Sequence, residues 1–290
     1  MDLSGRRKST NVEDRRGVSG GKIAGGVGIV GAIITALFMI MNGGKVEDLP
    51  KILQQNSSQQ QQQVETQGYE PTAEEKEFED FALKILASTE DVWDAEFQKM
   101  GKKYEKPTLC LFKNSVQSAC GNASSSVGPF YCSADRKIYI DLDFFNEMKN
   151  SLGADGDFAQ AYVIAHEVAH HVQNLLGTLG PAHQKMAKVS EEEKNRISVR
   201  IELQADFLAG IWGYYENKMY GSIEAGDFEE AINAAHQIGD DYLQKNARGY
   251  SVPESFTHGT SAQRMRWLKK GLTTGDIKQG DTFTPAYNSL

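Results

Sequence analysis

The sequence has 290 residues, of which 40% are hydrophobic and 24% charged, so its bulk is globular and neither collagen-like nor wholly disordered. The formal net charge of −8 argues against nonspecific nucleic-acid binding as the main role. Three cysteines are too few for a cysteine-framework mini-protein or for a zinc module held by four cysteines. Residues 1–22 carry six basic and three acidic side chains, a net of +3, which leaves the remainder near −11.

Residues 23–41 (IAGGVGIVGAIITALFMIM) contain no charged side chain. A helix of that length would rise about 28 Å, close to the hydrocarbon thickness of a bilayer. With the basic segment 1–22 ahead of it, this run predicts one transmembrane helix, a cytoplasmic N-terminus and export of everything after Met41. The alternatives are a buried helix of a soluble protein and a cleaved signal peptide, whose apolar core is shorter and ends at a small-residue site.

Residues 42–68 are predicted to be a flexible linker, because residues 54–67 (QQNSSQQQQQVETQ) cannot bury enough apolar surface to fold alone. The main domain is then expected over residues 69–290. Cys120 and Cys132 flank a Gly- and Ser-rich loop, and outside the cytoplasm this pair is expected to form a disulfide. Cys110 would remain free and buried, although pairing of Cys110 with Cys120 is an alternative.

The segment His166-Glu167-Val168-Ala169-His170 matches the H-E-x-x-H pattern of zinc hydrolases. Apolar residues recur at helical spacing over 157–176, with Asp157 available as a cap and Gly177 at the end, which predicts a largely buried helix. On that helix the two histidines share one face, where two imidazoles can bind one Zn²⁺. Glu167 is predicted to be the general base that takes a proton from a metal-activated water.

A third metal ligand must come from outside this motif. The metzincin extension requires Gly at position 173 and His at 176, and this chain has Gln173 and Leu176, so that class is excluded. A capping signature at residues 190–193 predicts a second helix that runs to about residue 215. On it, Glu202 and Asp206 lie four apart in an otherwise apolar stretch, which predicts Glu202 as a metal ligand and Asp206 as the partner of a histidine N–H. The alternative is an exposed acidic stripe.

His258 stands before a basic helix that contains Arg264 and Arg266. It is a candidate to stabilise the tetrahedral oxyanion, with a capping or structural role as the alternative. The remaining histidines are expected to have structural roles: His171 in packing or behind the metal ligands, His183 in a surface loop, and His236 in a pair with Asp240.

The chain resembles the bacterial "putative neutral zinc metallopeptidase" family of single-pass membrane proteins of the zincin type. The resemblance covers the N-terminal segment, the apolar run and about residues 104–271. Residues 202–206 also resemble the third-ligand helix of integral-membrane zinc peptidases of the prenyl-protein-protease kind, which implies Glu202 as ligand and Asp206 behind it. Ser133 after Cys132 and the extra Cys110 depart from the family pattern. The matching segments are NVEDRRG (11–17), SACG (118–121), GPFYC (128–132), IYID (138–141), HEVAHHVQ (166–173), ELQAD (202–206) and HGTS (258–261).

The resemblance implies an α+β, mainly helical zincin-like metallopeptidase domain, preceded by one transmembrane helix, in the bacterial inner membrane with the domain in the periplasm or otherwise outside the cytoplasm. Residues 137–142 (KIYIDL) are expected to form a strand of a small sheet beside the active-site helix. Such an edge strand in zincins holds an extended peptide. One Zn²⁺ per chain and a peptide or protein substrate are expected. The alternatives are a metal-dependent amidase acting on a cell-envelope peptide and a non-catalytic, membrane-tethered zinc protein.

Overall fold

The computed structural model describes residues 1–17 and 69–290, which are mainly helical with small sheets. The helices are α1 (Ala73–Lys99), α2 (Asp143–Leu152), α3 (Asp157–Leu176), α4 (Leu179–Met186), α5 (Glu191–Tyr220), α6 (Asp227–Gln237), α7 (Asp240–Arg248) and α8 (Ser261–Thr274). The strands are β1 (Val12–Asp14), β2 (Thr108–Phe112), β3 (Ser115–Ser118), β4 (Gly121–Ser124), β5 (Phe130–Cys132) and β6 (Lys137–Asp141).

The larger sheet has the strand order β1-β2-β6-β5, in which only β5 runs antiparallel to its neighbour. Residues alternate between its faces, so Leu109 and Ile138 join the core with the helices, whereas Cys110 and Tyr139 pack on the other side. The predicted strand at residues 137–142 is confirmed as β6 (Lys137–Asp141), but it is not an edge strand, because it lies between β2 and β5. The terminal strand on this side is β5.

The hairpin of β3 and β4 covers the outer face of the sheet. Val116 of β3 packs with Cys110 and Tyr139. A disulfide joins Cys120, in the hairpin turn, to Cys132 of β5, with an S–S distance of 2.03 Å, and Cys110 is free and buried. The structure therefore has the 120–132 pair and not the alternative pairing, and the covalent link ties the hairpin to the edge strand.

The two helices of the predicted metal site are long and buried. Helix α3 ends at Gly177, which adopts a left-handed conformation with φ 81°. Its N-cap is Gly156 and not Asp157, whose carboxylate instead accepts hydrogen bonds from the α-ammonium of Met1. Helix α5 begins after Ser190, whose hydroxyl accepts from the backbone N–H of Glu193, and continues five residues beyond the predicted end.

Helices α5 and α8 cross at two glycines. A Cβ on Gly271 would lie 2.1 Å from the carbonyl oxygen of Phe207, and one on Gly210 would lie 2.4 Å from that of Leu268. Only residues without a side chain allow this backbone approach. The close crossing places the N-terminal half of α8 directly over the metal-site half of α5.

Residues 1–17 are part of the folded domain. Strand β1 pairs in parallel with residues 109–111 of β2. Arg6 donates a hydrogen bond of 2.7 Å to Glu216 of α5, a carboxylate with no solvent exposure. Arg7 and Asn11 donate to Glu90 of α1, which is 1% exposed. The N-terminal segment therefore supplies partners for two buried carboxylates.

This arrangement corrects the predicted fold, in which one transmembrane helix precedes the domain. Strand β1, which precedes the predicted span in the sequence, is hydrogen-bonded to β2 of the domain that follows it. Within residues 1–17 and 69–290, no helix has both the length and the apolar character needed to cross a bilayer. The predicted span, residues 23–41, and the predicted linker lie outside the described residues.

Candidate metal centre

Three side chains from two helices converge on one point. His166 and His170 of α3 and Glu202 of α5 each offer a ligand atom, and the three atoms lie within 4.8 Å of one another. The Glu202 Oε2 atom is 3.1 Å from His166 Nε2 and 3.6 Å from His170 Nε2. Two ligand atoms bound to a tetrahedral zinc are about 3.3 Å apart, given bond lengths near 2.0–2.1 Å. The donor set and its spacing therefore fit Zn²⁺.

The other nitrogen of each histidine is held in place. His166 Nδ1 lies 2.8 Å from Asp206 Oδ1, and His170 Nδ1 lies 2.9 Å from Gln173 Oε1. Gln173 is fully buried, and its amide also donates to the carbonyl of Ile201 on α5. In the tautomer with the proton on Nδ1, His170 donates to Gln173 and His166 faces the Asp206 carboxylate, and the Nε2 lone pairs are then available to the metal. Asp206 lies beside a histidine nitrogen, as the sequence predicts. The sequence analysis gave Gln173 no role in the metal site.

Asp206 is itself held by a buried cation that the sequence analysis did not identify. Arg264 of α8 donates two hydrogen bonds of 2.9 Å to the two carboxylate oxygens of Asp206. Tyr162 donates to the same carboxylate at 2.5 Å and accepts from Arg264 at 3.2 Å. Arg264 is 3% exposed and Asp206 is fully buried. Burial disfavours the charge of Asp206, but the guanidinium outweighs it and lowers the pKa of Asp206 to about 2.

The site is electrostatically prepared for a cation. Burial opposes the charged form of His166, but Asp206 and Glu202 outweigh burial and raise the pKa of His166 to about 10. Burial likewise opposes ionisation of Glu202, yet the two histidines hold its pKa well below the usual value. The carboxylates that favour a proton on the imidazoles also favour a divalent cation in its place.

Glu167 lies on α3 next to His166 and lines the same cleft as the three donors. It is 8% exposed, and the hydrogen bonds within the described part of the chain do not engage its carboxylate. Burial raises the pKa of Glu167 above its usual value, against the opposing effect of His170 and His166. A free carboxylate with a raised pKa is suited to accept and return a proton.

His258 also lines this cleft. Its partner is Asp240, which the sequence analysis paired with His236. Asp240 Oδ1 is 3.2 Å from His258 Nδ1, while Asp240 Oδ2 accepts three backbone N–H groups, from Thr257, His258 and Gly259. Burial lowers the pKa of His258, but Asp240 outweighs burial and raises it. The expected pairing of Asp240 with His236 is wrong, because Asp240 binds residues 257–259 and His236 Nδ1 has no hydrogen-bond partner among the described residues. The His236 ring instead contacts that of Tyr242.

The two remaining histidines, His171 and His183, differ in their exposure to solvent. His171 is buried and hydrogen-bonds through Nδ1 to the hydroxyl of Tyr131 at 3.0 Å, which anchors α3 to β5. His183 lies on α4 and not in a loop, and it is exposed at the rim of the cleft. Neither belongs to the metal-donor group.

A second acidic group, Asp157, Asp227 and Glu230, could also hold a cation. In the structure the α-ammonium of Met1 lies 2.8 Å from Asp157 and 3.3 Å from Asp227. Asp157 and Asp227 are therefore paired with a positive charge, and Glu230 accepts a hydrogen bond from the backbone N–H of Phe158.

Two helix-borne histidines, a glutamate from a following helix and a free glutamate beside them define a site of the H-E-x-x-H metallopeptidase class. Residues 1–283 match the family described as "putative neutral zinc metallopeptidase", and the chain belongs to that family.

The chain is similar to relatives whose names state no activity. The chain is 48% identical over 288 residues to the uncharacterized protein YpfJ of Escherichia coli K12, covering 98% of this chain and 99% of YpfJ. It is 40% identical over 213 residues to the uncharacterized protein Mb2605 of Mycobacterium bovis, covering 70% of this chain and 71% of that protein. No solved structure is significantly similar to the chain.

Proposed function

We propose that this protein is a zinc-dependent peptidase, in which His166, His170 and Glu202 hold one Zn²⁺. The observation that carries the proposal is the convergence of these three donor atoms within 4.8 Å beside a free, buried glutamate. A purely structural zinc site has no use for Glu167, because such sites are closed by four protein ligands.

In the proposed reaction, bound zinc would activate a water and polarise the substrate carbonyl. Glu167 would accept the proton of the attacking water on its carboxylate and deliver it to the leaving amine nitrogen. His258, oriented by Asp240, would donate a hydrogen bond to the oxyanion that forms as the carbonyl carbon becomes tetrahedral. Asp206 and Gln173 would keep the two liganding imidazoles in their tautomers.

The substrate would bind as an extended chain. Strand β5 ends the sheet, and among the described residues its outer edge has no partner strand. Phe130 and Tyr131 of β5 line the cleft together with His166 and Glu167. An extended peptide can add to such an edge through main-chain hydrogen bonds. This strand takes the role that the sequence analysis gave to residues 137–142.

We also propose that the enzyme works outside the reducing cytoplasm, and the Cys120–Cys132 disulfide supports this. Thiol trapping of the protein directly from cells, followed by mass mapping, tests it. A free Cys110 with a linked 120–132 pair is expected, whereas labelling of all three thiols would contradict the proposal.

The test of the peptidase itself couples metal content to cleavage. The full chain should bind about one zinc, and it should cleave unfolded casein. Glu167→Gln should keep the zinc and lose cleavage by a factor of about 10² or more, because it removes the base and not a ligand. Glu192→Gln, an exposed glutamate on α5, is the matched control and should behave as wild type. Absence of zinc from the wild type, or undiminished cleavage by Glu167→Gln, would refute the proposed site.

A further inference from the structure

The cleft beside the metal-donor group is much larger than one water and one carbonyl require. It encloses about 410 Å³, which lies in the range of protein pockets that hold ligands of several residues' size. Its walls come from helices α2 to α5, from the segment between α6 and α8 and from the disulfide-tied hairpin with β5. A cavity of this size and position must set which side chains can approach the reacting bond.

The apolar wall begins at the metal donors. Val163 lies one turn before Glu167 on α3, and Ile201 directly precedes Glu202 on α5; both line the cleft. Leu179 and Met186 of α4 continue the same wall and pack with Ile201 in one cluster. A side chain that lies against these four residues would therefore meet mainly aliphatic carbon, with Ser198 and His183 as the polar lining residues of α5 and α4 apart from Glu202.

The charges in the wall offer little to a charged side chain. Arg264 is committed to Asp206 at 2.9 Å and is buried behind it. Among the described residues, Glu147 of α2 is the carboxylate that lines the cleft besides Glu167 and Glu202. Burial, with Asp141 and Asp143 nearby, raises the pKa of Glu147. Among the described lining residues an acidic side chain would find no lysine and no uncommitted arginine; His258 is paired with Asp240, and burial lowers the pKa of His183. A basic side chain would find a single carboxylate that resists ionisation.

We propose that this wall is a specificity pocket for a large aliphatic or aromatic side chain, such as Leu, Met or Phe, next to the scissile bond of an extended polypeptide. The inference rests on the proposed peptidase function and adds its substrate class. Val163, Leu179, Met186 and Ile201 are the specificity-determining residues.

The test uses the zinc-loaded full chain and a series of internally quenched peptides that differ at one central residue: Leu, Phe, Ala, Lys or Asp. Leu and Phe peptides should exceed Ala, Lys and Asp peptides by at least about tenfold in kcat/KM, the smallest discrimination expected of a filled apolar pocket. Mass mapping of the products should place the varied side chain beside the cleaved bond.

Met186→Glu adds a carboxylate to the wall at a half-buried position that should tolerate it. It should lower the Leu-to-Lys preference at least about tenfold. Ala187→Glu places the same charge on the next, exposed residue outside the cleft and should leave the preference unchanged. Glu147→Gln should also leave it unchanged. A preference for Lys that disappears in Glu147→Gln would overturn the proposed apolar pocket, and so would equal cleavage of all the peptides. In either case the cleavage would still support the proposed peptidase function.

Binding separates the two proposals if no peptide is cleaved. The zinc-loaded Glu167→Gln protein can be titrated with the same peptides by calorimetry. Tighter binding of the Leu peptide than of the Asp peptide, lost in Met186→Glu and kept in Ala187→Glu, would support the apolar pocket even though the peptidase proposal had failed. Equal binding of all the peptides would overturn the pocket.

Discussion

The ion pair between Arg6 and Glu216 offers a direct test of the position of the N-terminal segment. Arg6 Nη1 donates to Glu216 Oε1 at 2.7 Å, and the Ser222 hydroxyl donates to the same oxygen at 2.8 Å. The Ser88 hydroxyl donates to the other oxygen. Glu216 has no solvent exposure and Arg6 retains 14%, so this guanidinium is the charge partner of a fully buried carboxylate.

Arg6→Met keeps the aliphatic stem and removes the positive charge. Breaking a buried pair from one side costs about 3–5 kcal/mol, because the remaining charge is left uncompensated. Two hydroxyl donors remain and Arg6 is not wholly buried, so the expected loss in the free energy of unfolding is about 2–4 kcal/mol. By contrast, Lys8→Met in the same segment removes an exposed pair with Asp80 and should cost less than about 1 kcal/mol.

The assay is urea unfolding of the full chain, read by tryptophan fluorescence, for Arg6→Met, Glu216→Gln and the double variant. Once Glu216 is neutral, removing Arg6 leaves no buried charge unpaired. The double variant should therefore lose less free energy of unfolding than the two single losses added together, by at least about 1 kcal/mol. If Arg6→Met matched Lys8→Met, or the two single losses simply added, the N-terminal segment would not occupy the site that the structure gives it.

Three further changes test the site's support and the packing behind it. Arg264→Met should weaken zinc binding about 10–100-fold in a chelator competition, because Asp206 loses its cation, whereas Arg266→Met should not; equal affinities would contradict this. Glu75→Gln should cost about 1–2 kcal/mol at pH 7, since hydrogen bonds from Tyr69, Thr72 and Lys113 outweigh burial and hold the pKa of Glu75 at about 2. The stability from the Glu75 carboxylate is present above its unfolded pKa near 4.5 and is lost as the pH falls towards 2. The difference in the free energy of unfolding between wild type and Glu75→Gln, measured in denaturant, should therefore be smaller at pH 3 than at pH 7. An equal difference at the two pH values would contradict this prediction. Gly271→Ala should destabilise by about 2–3 kcal/mol in a thermal melt, because its Cβ would lie 2.1 Å from a backbone carbonyl, whereas Gly180→Ala, with open space around it, should be nearly neutral.

Local spacing was enough to predict the donor group. His166 and His170 share a helix face through their four-residue spacing, and Glu202 and Asp206 do the same on a second amphipathic helix. Both helices bury these polar groups, and buried polar groups require partners. Few polar groups on the two helices are available to pair with one another. Glu202 therefore lies beside the Nε2 atoms of the histidines, and Asp206 lies beside Nδ1 of His166.

Arg264 and Asp240 were missed as supporting residues because their partners, Asp206 and His258, lie on other elements of the fold. Arg264 shares the buried face of α8 with Trp267, Leu268 and Gly271, which follow it by three, four and seven residues. That periodicity alone indicates a buried cation that needs a carboxylate. It does not say which one, and nothing local joins Asp240 to His258. Gln173 is different, because it follows His170 by three residues on α3, a spacing at which two helical side chains meet.

The N-terminus shows how one charge pattern fits two architectures. Basic residues before an apolar run are what the positive-inside rule uses to predict a cytoplasmic anchor. The same Arg6 and Arg7 are also what the buried carboxylates Glu216 and Glu90 need, and those lie more than 80 positions away on α5 and α1. A three-residue strand such as β1 has too few residues to show periodicity, and its parallel partner lies 97 positions further on. No local signal therefore predicts that the N-terminal segment packs into the domain. Charge counts alone therefore do not show that Arg6 and Arg7 have buried carboxylate partners on α5 and α1.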